Sequence, residues 1–166
     1  MQKASSYIDS LPSRGWAARQ AAGQRGRLRL VGLLAAAPCL AVLGVAAWLT
    51  PSPNAVGTHQ QLGLPACEFL ARTGWPCPTC GLTTSLAAMA HGQVLTALKA
   101  HPFGVAAFAA VVLLAAAGVA QGLTGRNVLR LLRLGPWWAY AAALGVPAGW
   151  GLKVLIGLAD GSLPMR

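Results

Sequence analysis

Three long runs of uncharged or nearly uncharged residues decide what this chain can fold into. The first, Leu30 to Leu49, is twenty residues without a charge. At about 1.5 Å of rise per residue, a helix of that length covers the roughly 30 Å hydrocarbon core of a bilayer. Thr50-Pro51-Ser52-Pro53 end it. The second runs from Phe103 to Leu123, entered through Pro102 and left through Thr124, Gly125 and Arg126. The third starts at Pro136, a residue suited to a first helical turn, and passes through Trp137, Trp138 and Tyr140 to Ala159. Those aromatics have the character of an interfacial belt. Lys153 interrupts the third run seven residues before Asp160, where a flexible stem would carry the amine to the nearby headgroups.

Composition agrees with a membrane chain. Hydrophobic residues make up 55% and charged residues only 10%, against about 25% charged in soluble domains. The fold class expected is all-α, an integral membrane helical bundle of three transmembrane helices with a short interfacial or re-entrant helical segment. The chain then divides into a basic cytoplasmic tail (1–29), a first span (30–50) and an extracytoplasmic cysteine-bearing segment (51–102). A second span (103–123), a basic loop (124–135), a third span (136–159) and a C-terminal tail (160–166) follow. Asp9, Glu68 and Asp160 are the only carboxylates, too scattered for the paired-acid chemistry of glycosidases or aspartic proteases. Phosphate-binding glycine loops and serine nucleophile elbows are missing from the sequence as well.

The basic residues set an orientation. Lys3, Arg14, Arg19, Arg25, Arg27 and Arg29 precede the first span, and Arg126, Arg130 and Arg133 join the second to the third. Positively charged loops are retained in the cytoplasm, so three crossings place both clusters inside and residues 51–102 outside, as expected of a multi-pass protein of a cell inner membrane. A fourth crossing between Leu82 and Leu98 would expel the second cluster. The net charge of +10 therefore reads as membrane retention and attraction to anionic lipid. Nucleic acid is not an expected partner; the lipid bilayer is. Another membrane protein or a second copy of the chain would find close-packing positions at Ala115, Ala116, Ala117 and Gly118.

Chemistry, if present, belongs to the outer segment, where Cys67, Cys77 and Cys80 fall within fourteen residues. The two-residue gap in Cys77-Pro78-Thr79-Cys80 suits a redox disulfide and equally the first pair of ligands at a zinc site. Good helix formers follow Gly81, so Thr83 or a neighbour is expected to cap a helix. Its positive end would make Cys80 the more acidic thiol. Cys39, alone in the first span, reads as a small hydrophobe.

These residues resemble an uncharacterised bacterial membrane family, domain of unknown function 2752. Its pattern is an early cysteine, a Cys-Pro-x-Cys-Gly-x-Thr core, a His-Gly a few residues on, and a proline before a span. Here the pattern is met by Cys67, by Cys77-Pro78-Thr79-Cys80-Gly81-Leu82-Thr83, by His91-Gly92 and by Pro102. Thr84 stands where the family has arginine, and His101 where it has asparagine. The resemblance implies a location and a motif; it carries no mechanism.

Between Leu82 and Leu98 the apolar residues change face near Gly92. Leu82, Leu86 and Met89 share one side and Val94, Leu95 and Leu98 another, which predicts two short half-helices. Along a helix from Cys80, His91 lies about 16 Å away, so the two cannot share a metal. A closed zinc site would have Cys67, Cys77 and Cys80 with His59 as the candidate fourth ligand. No cofactor is required by the sequence, and zinc is permitted by it. His91 and His101 are expected to hydrogen-bond at the interface or within the bundle. The sequence thus favours a non-enzymatic membrane component whose cysteines shape an outer loop. The alternative is a thiol-disulfide oxidoreductase with Cys77, Cys80 and Cys67 as the catalytic candidates.

Overall fold

The computed structural model describes residues 13–133, 135–159 and 161. Lys3, Asp9, Asp160 and residues 162–166 lie outside the described residues. Helix α1 (Ser13–Trp48) is followed by a 3-10 turn (Thr58–Leu62), α2 (Glu68–Thr73), α3 (Leu82–Ala90) and α4 (Val94–Ala100). Helix α5 (Pro102–Thr124), a second 3-10 turn (Leu129–Leu132) and α6 (Trp137–Ala159) complete the order. Parts of α1, α5 and α6 are long and apolar enough to cross a membrane. The architecture is all-α with three candidate spans and shorter helices between the first two. The helix extends into the basic tail as far as Ser13, so Arg19, Arg25, Arg27 and Arg29 ride on a rod continuous with the first apolar stretch.

Small residues make the interior and large apolar ones face outward, the inverse of a soluble core. Ala36, Ala46, Ala87, Ala88, Ala97, Ala100, Ala115 and Ala117 are buried, whereas Leu34, Leu113, Leu144 and Leu155 are exposed. Helices α1 and α5 pack antiparallel along glycines. A β-carbon on Gly32 would stand 2.6 Å from the Gly122 nitrogen and 2.7 Å from the Gly118 oxygen, and one on Gly118 would stand 2.9 Å from the Gly32 oxygen. Gly118 and Gly122 are one turn apart, the small-xxx-small spacing that lets two backbones touch. Of the four small residues offered for contact between molecules, Ala115, Ala117 and Gly118 are thus covered within the chain; Ala116 is exposed. Buried Gln121 closes this end of the seam, its amide donating to the Leu28 carbonyl while its oxygen accepts from the Leu129 nitrogen.

Helix α6 lies antiparallel to α5. Gly145 is set against Phe103, and Gly149 against Phe103 and His101. Between the first two spans, α3 and α4 form the two half-helices that the change of face indicates, broken at Gly92 with φ +73°. The hydroxyl of buried Ser85 ties them to α5, lying 3.0 Å from both the Ala97 and His101 carbonyl oxygens and sharing its one proton between them. Val94, Leu95 and Leu98 face outward.

The fold also brings the two arginine clusters together. Gly125, at the close of α5, lies against Arg25 and Arg29, so the two basic clusters meet at one end of the bundle. Residues 51–102 gather at the other.

Candidate functional site

Turns bring the cysteines together. Cys67 precedes α2, and Gly74, in the left-handed region at φ +73°, ends that helix and sends the chain back through Trp75-Pro76 to Cys77. The Cys80 nitrogen then donates to the Cys77 carbonyl at 2.9 Å, closing a tight turn. As a result the sulfurs of Cys67, Cys77 and Cys80 all lie within 4.8 Å of one another. All are thiols, and Cys77 Sγ and Cys80 Sγ are 3.0 Å apart.

The loop is docked through alternate carbonyls. Prolines 76 and 78 have no N–H to offer, so their oxygens are the groups available for anchoring. Trp150 Nε1 donates to the Pro76 oxygen at 2.7 Å, His101 Nε2 donates to the Pro78 oxygen at 3.1 Å, and Lys153 Nζ donates to the Cys80 oxygen at 3.0 Å. Two of these anchors come from α6. This corrects the expectation that Lys153 carries its amine to the headgroups: it turns inward because an unfilled loop carbonyl is within reach.

Gly81 is the pivot of that docking. Its φ of +91° is a region that side chains avoid, and a β-carbon there would collide with the Ala100 carbonyl, stand 2.7 Å from Lys153 Nζ and 2.8 Å from the Ala55 carbonyl. Gly81 also occupies the N-cap of α3, and no side chain caps that helix. The cap expected from Thr83 is therefore absent. Thr83 instead lines a cavity of about 400 Å³ beside Cys77, with His59, Cys67, Thr79, Cys80 and Thr84 also on its wall. Buried Thr84 pairs its hydroxyl with that of Thr58 at 2.9 Å, and Thr58 accepts from the Ser52 nitrogen, fastening the 3-10 turn to α3.

The thiols are unequal, in the order opposite to that expected from the helix end. Burial raises Cys77, but hydrogen bonds from Cys80 and Thr79 outweigh it and bring the thiol down to about 7. Burial pushes Cys80 up to about 12, reinforced by the proton it shares with Cys77. Desolvation thus wins over the dipole of the nine-residue α3: Cys77, whose thiol donates to Cys80 Sγ at 3.0 Å, is the one that loses its proton first. His101 is fully buried and its pKa is lowered, first by burial and then by the charge of Lys153, against a raising effect of the Pro78 carbonyl. It is a neutral ring with its proton on Nε2.

The other motif residues serve elsewhere. His91 Nε2 donates to the Leu49 carbonyl at 3.0 Å, satisfying a group that the end of α1 leaves open. Gly92 makes the break between the half-helices, and Pro102 opens α5. His59 bonds the Pro65 carbonyl at 3.1 Å and stays outside the sulfur cluster. Cys39 lies in α1, remote in sequence from the other cysteines. Trp150, Ser85 and Lys153 were not legible as site residues. Their only signal was a polar atom in an otherwise apolar stretch.

Three apolar helices and a trithiol loop at one end define the class: a helical membrane protein bearing a cysteine cluster. Residues 67–115 match the model of the family described as Protein of unknown function (DUF2752), the family that the cysteine motif resembles. No curated protein and no solved structure matches the chain significantly.

Proposed function

We propose that the chain is a membrane thiol-disulfide exchange protein whose working pair is Cys77 and Cys80. The observation that carries this reading is the asymmetry of two sulfurs 3.0 Å apart, one thiol lowered to about 7 and the other buried and raised to about 12. An attacking thiol works best with a pKa near ambient pH, and a resolving thiol is best kept protonated until the mixed disulfide forms. The Cys77 thiolate attacks one sulfur of a partner disulfide and releases the other as a thiolate. The Cys80 thiol then loses its proton and attacks Cys77 Sγ. This forms the Cys77–Cys80 bond and frees the partner's second thiolate, so the partner gains the two electrons that the pair loses. Run backward, the same steps oxidise a dithiol. Cys67, within 4.8 Å, is placed to pass the exchange onward.

The two basic clusters at one end of the bundle favour an orientation with that end in the cytoplasm and the thiols outside, where disulfides persist. The outward Val94, Leu95 and Leu98 favour a half-helix pair that meets lipid. The purified chain, equilibrated in mild detergent with glutathione buffers, should show one Cys77–Cys80 bond with a potential in the range of exchange catalysts, roughly −270 to −120 mV. Cys80→Ser should accumulate a mixed disulfide on Cys77. A bond that stays oxidised below about −300 mV, the range of structural disulfides, would instead identify a staple that shapes the loop.

A further inference from the structure

We infer that the reduced site binds one cuprous ion through the thiolates of Cys67, Cys77 and Cys80. The inference goes beyond disulfide exchange, since it concerns the form of the site in which all three cysteines are reduced.

The geometry comes first. With thiolate bonds of about 2.3 Å, a planar set of three ligands holds its sulfurs about 4 Å apart. The three sulfurs already lie within 4.8 Å of one another, with the nearest pair at 3.0 Å. Adjustment of side-chain torsions is all that ligation asks. No other His, Cys, Asp or Glu among the described residues joins the group. The nearest histidine on the cavity wall, His59, is engaged by the Pro65 carbonyl.

The donor set then selects the ion. Closed zinc sites take four tetrahedral protein ligands and open ones fill the fourth position with water, whereas three thiolates with no fourth protein ligand make a soft donor set that suits Cu(I). Charge fits as well. Three thiolates on a monovalent ion leave a net charge of −2, costly beside a partly buried loop. Lys153, 3.0 Å from the Cys80 carbonyl, supplies a cation at that place. Ligation replaces three thiol protons, released to solvent, by one Cu(I); no electron moves.

The test uses the full chain in detergent, kept anaerobic with a phosphine reductant and titrated with Cu(I) against a colorimetric cuprous chelator, then with Zn(II) alone. We expect one Cu(I) per chain, with X-ray absorption showing three sulfur neighbours. Cys67→Ser should weaken binding by at least about tenfold, or 1.4 kcal/mol, and reduce the sulfur count to two. His59→Ala should change neither. The glutathione equilibrium of His59→Ala, which keeps all three cysteines, reports independently on the exchange reading. The inference is overturned if the wild-type chain shows no stoichiometric Cu(I), if two sulfurs alone surround the ion, if Cys67→Ser binds as tightly as the parent, or if one Zn(II) outcompetes Cu(I).

Discussion

A hydrogen bond between two thiols is an unequal partnership whenever one of them is more buried, and Cys77 and Cys80 are such a pair. Because the Cys77 thiol is lowered to about 7, its alkylation rate in the reduced chain should rise with pH to a plateau with a midpoint near 7. Mass spectrometry of the labelled peptide reads this directly, and a midpoint near the ordinary thiol value of about 8.5 would contradict the assigned order. Lys153 contributes at the same scale. Lys153→Met keeps the stem but removes a charged donor from the Cys80 carbonyl, and hydrogen bonds to charged groups contribute about 1.5–3 kcal/mol. Denaturation in detergent should show a loss of that size, with faster proteolysis at the loop. An unchanged transition would mean that the loop is held by Trp150 and His101 alone. Neither residue could have been assigned its role from the sequence. Which thiol is more acidic depends on burial, and the partner of Lys153 lies seventy-three residues away.

At the scale of elements, glycines decide how closely backbones approach. Gly118→Leu would force α1 and α5 apart at the point where Gly32 and Ala36 meet α5, and overpacking of this kind costs about 1–3 kcal/mol. Ala116→Leu, on the exposed side of the same helix, should stay within about 0.5 kcal/mol. Thermal unfolding of the pair in one detergent checks the contrast; equal effects would mean that α5 uses another face. The two half-helices were legible because the switch of face at Gly92 is a local pattern. The spans were legible for the same reason, as hydropathy needs no knowledge of partners. The glycine seam was not, since Gly32, Gly44, Gly118 and Gly122 look alike along the chain. Gly44 meets nothing within 4 Å, whereas Gly32, Gly118 and Gly122 are enclosed by a neighbouring helix. The cluster of three sulfurs was legible only in part: spacing paired Cys77 with Cys80, but the return of Cys67 depends on the turn at Gly74.

For the whole molecule, the separation of the two arginine clusters from the thiols makes orientation a physical question. Arg25 and Arg29 lie against Gly125, and Arg126, Arg130 and Arg133 follow it, so any orientation that hides one cluster hides both. Each exported arginine opposes the bias that retains basic segments in the cytoplasm. In the proposed orientation the sulfur cluster, at the far end, faces outward. Single-cysteine chains expressed in cells and exposed to a membrane-impermeant maleimide test this. A chain retaining Cys77 alone should label in intact cells. A chain with Leu131→Cys alone, at a side chain 80% exposed in the basic turn, should label only after permeabilisation. The reverse pattern would place the thiols in the reducing cytoplasm. There a labile Cys77–Cys80 bond would be kept open, and the site would then be better suited to holding a soft metal than to exchanging disulfides.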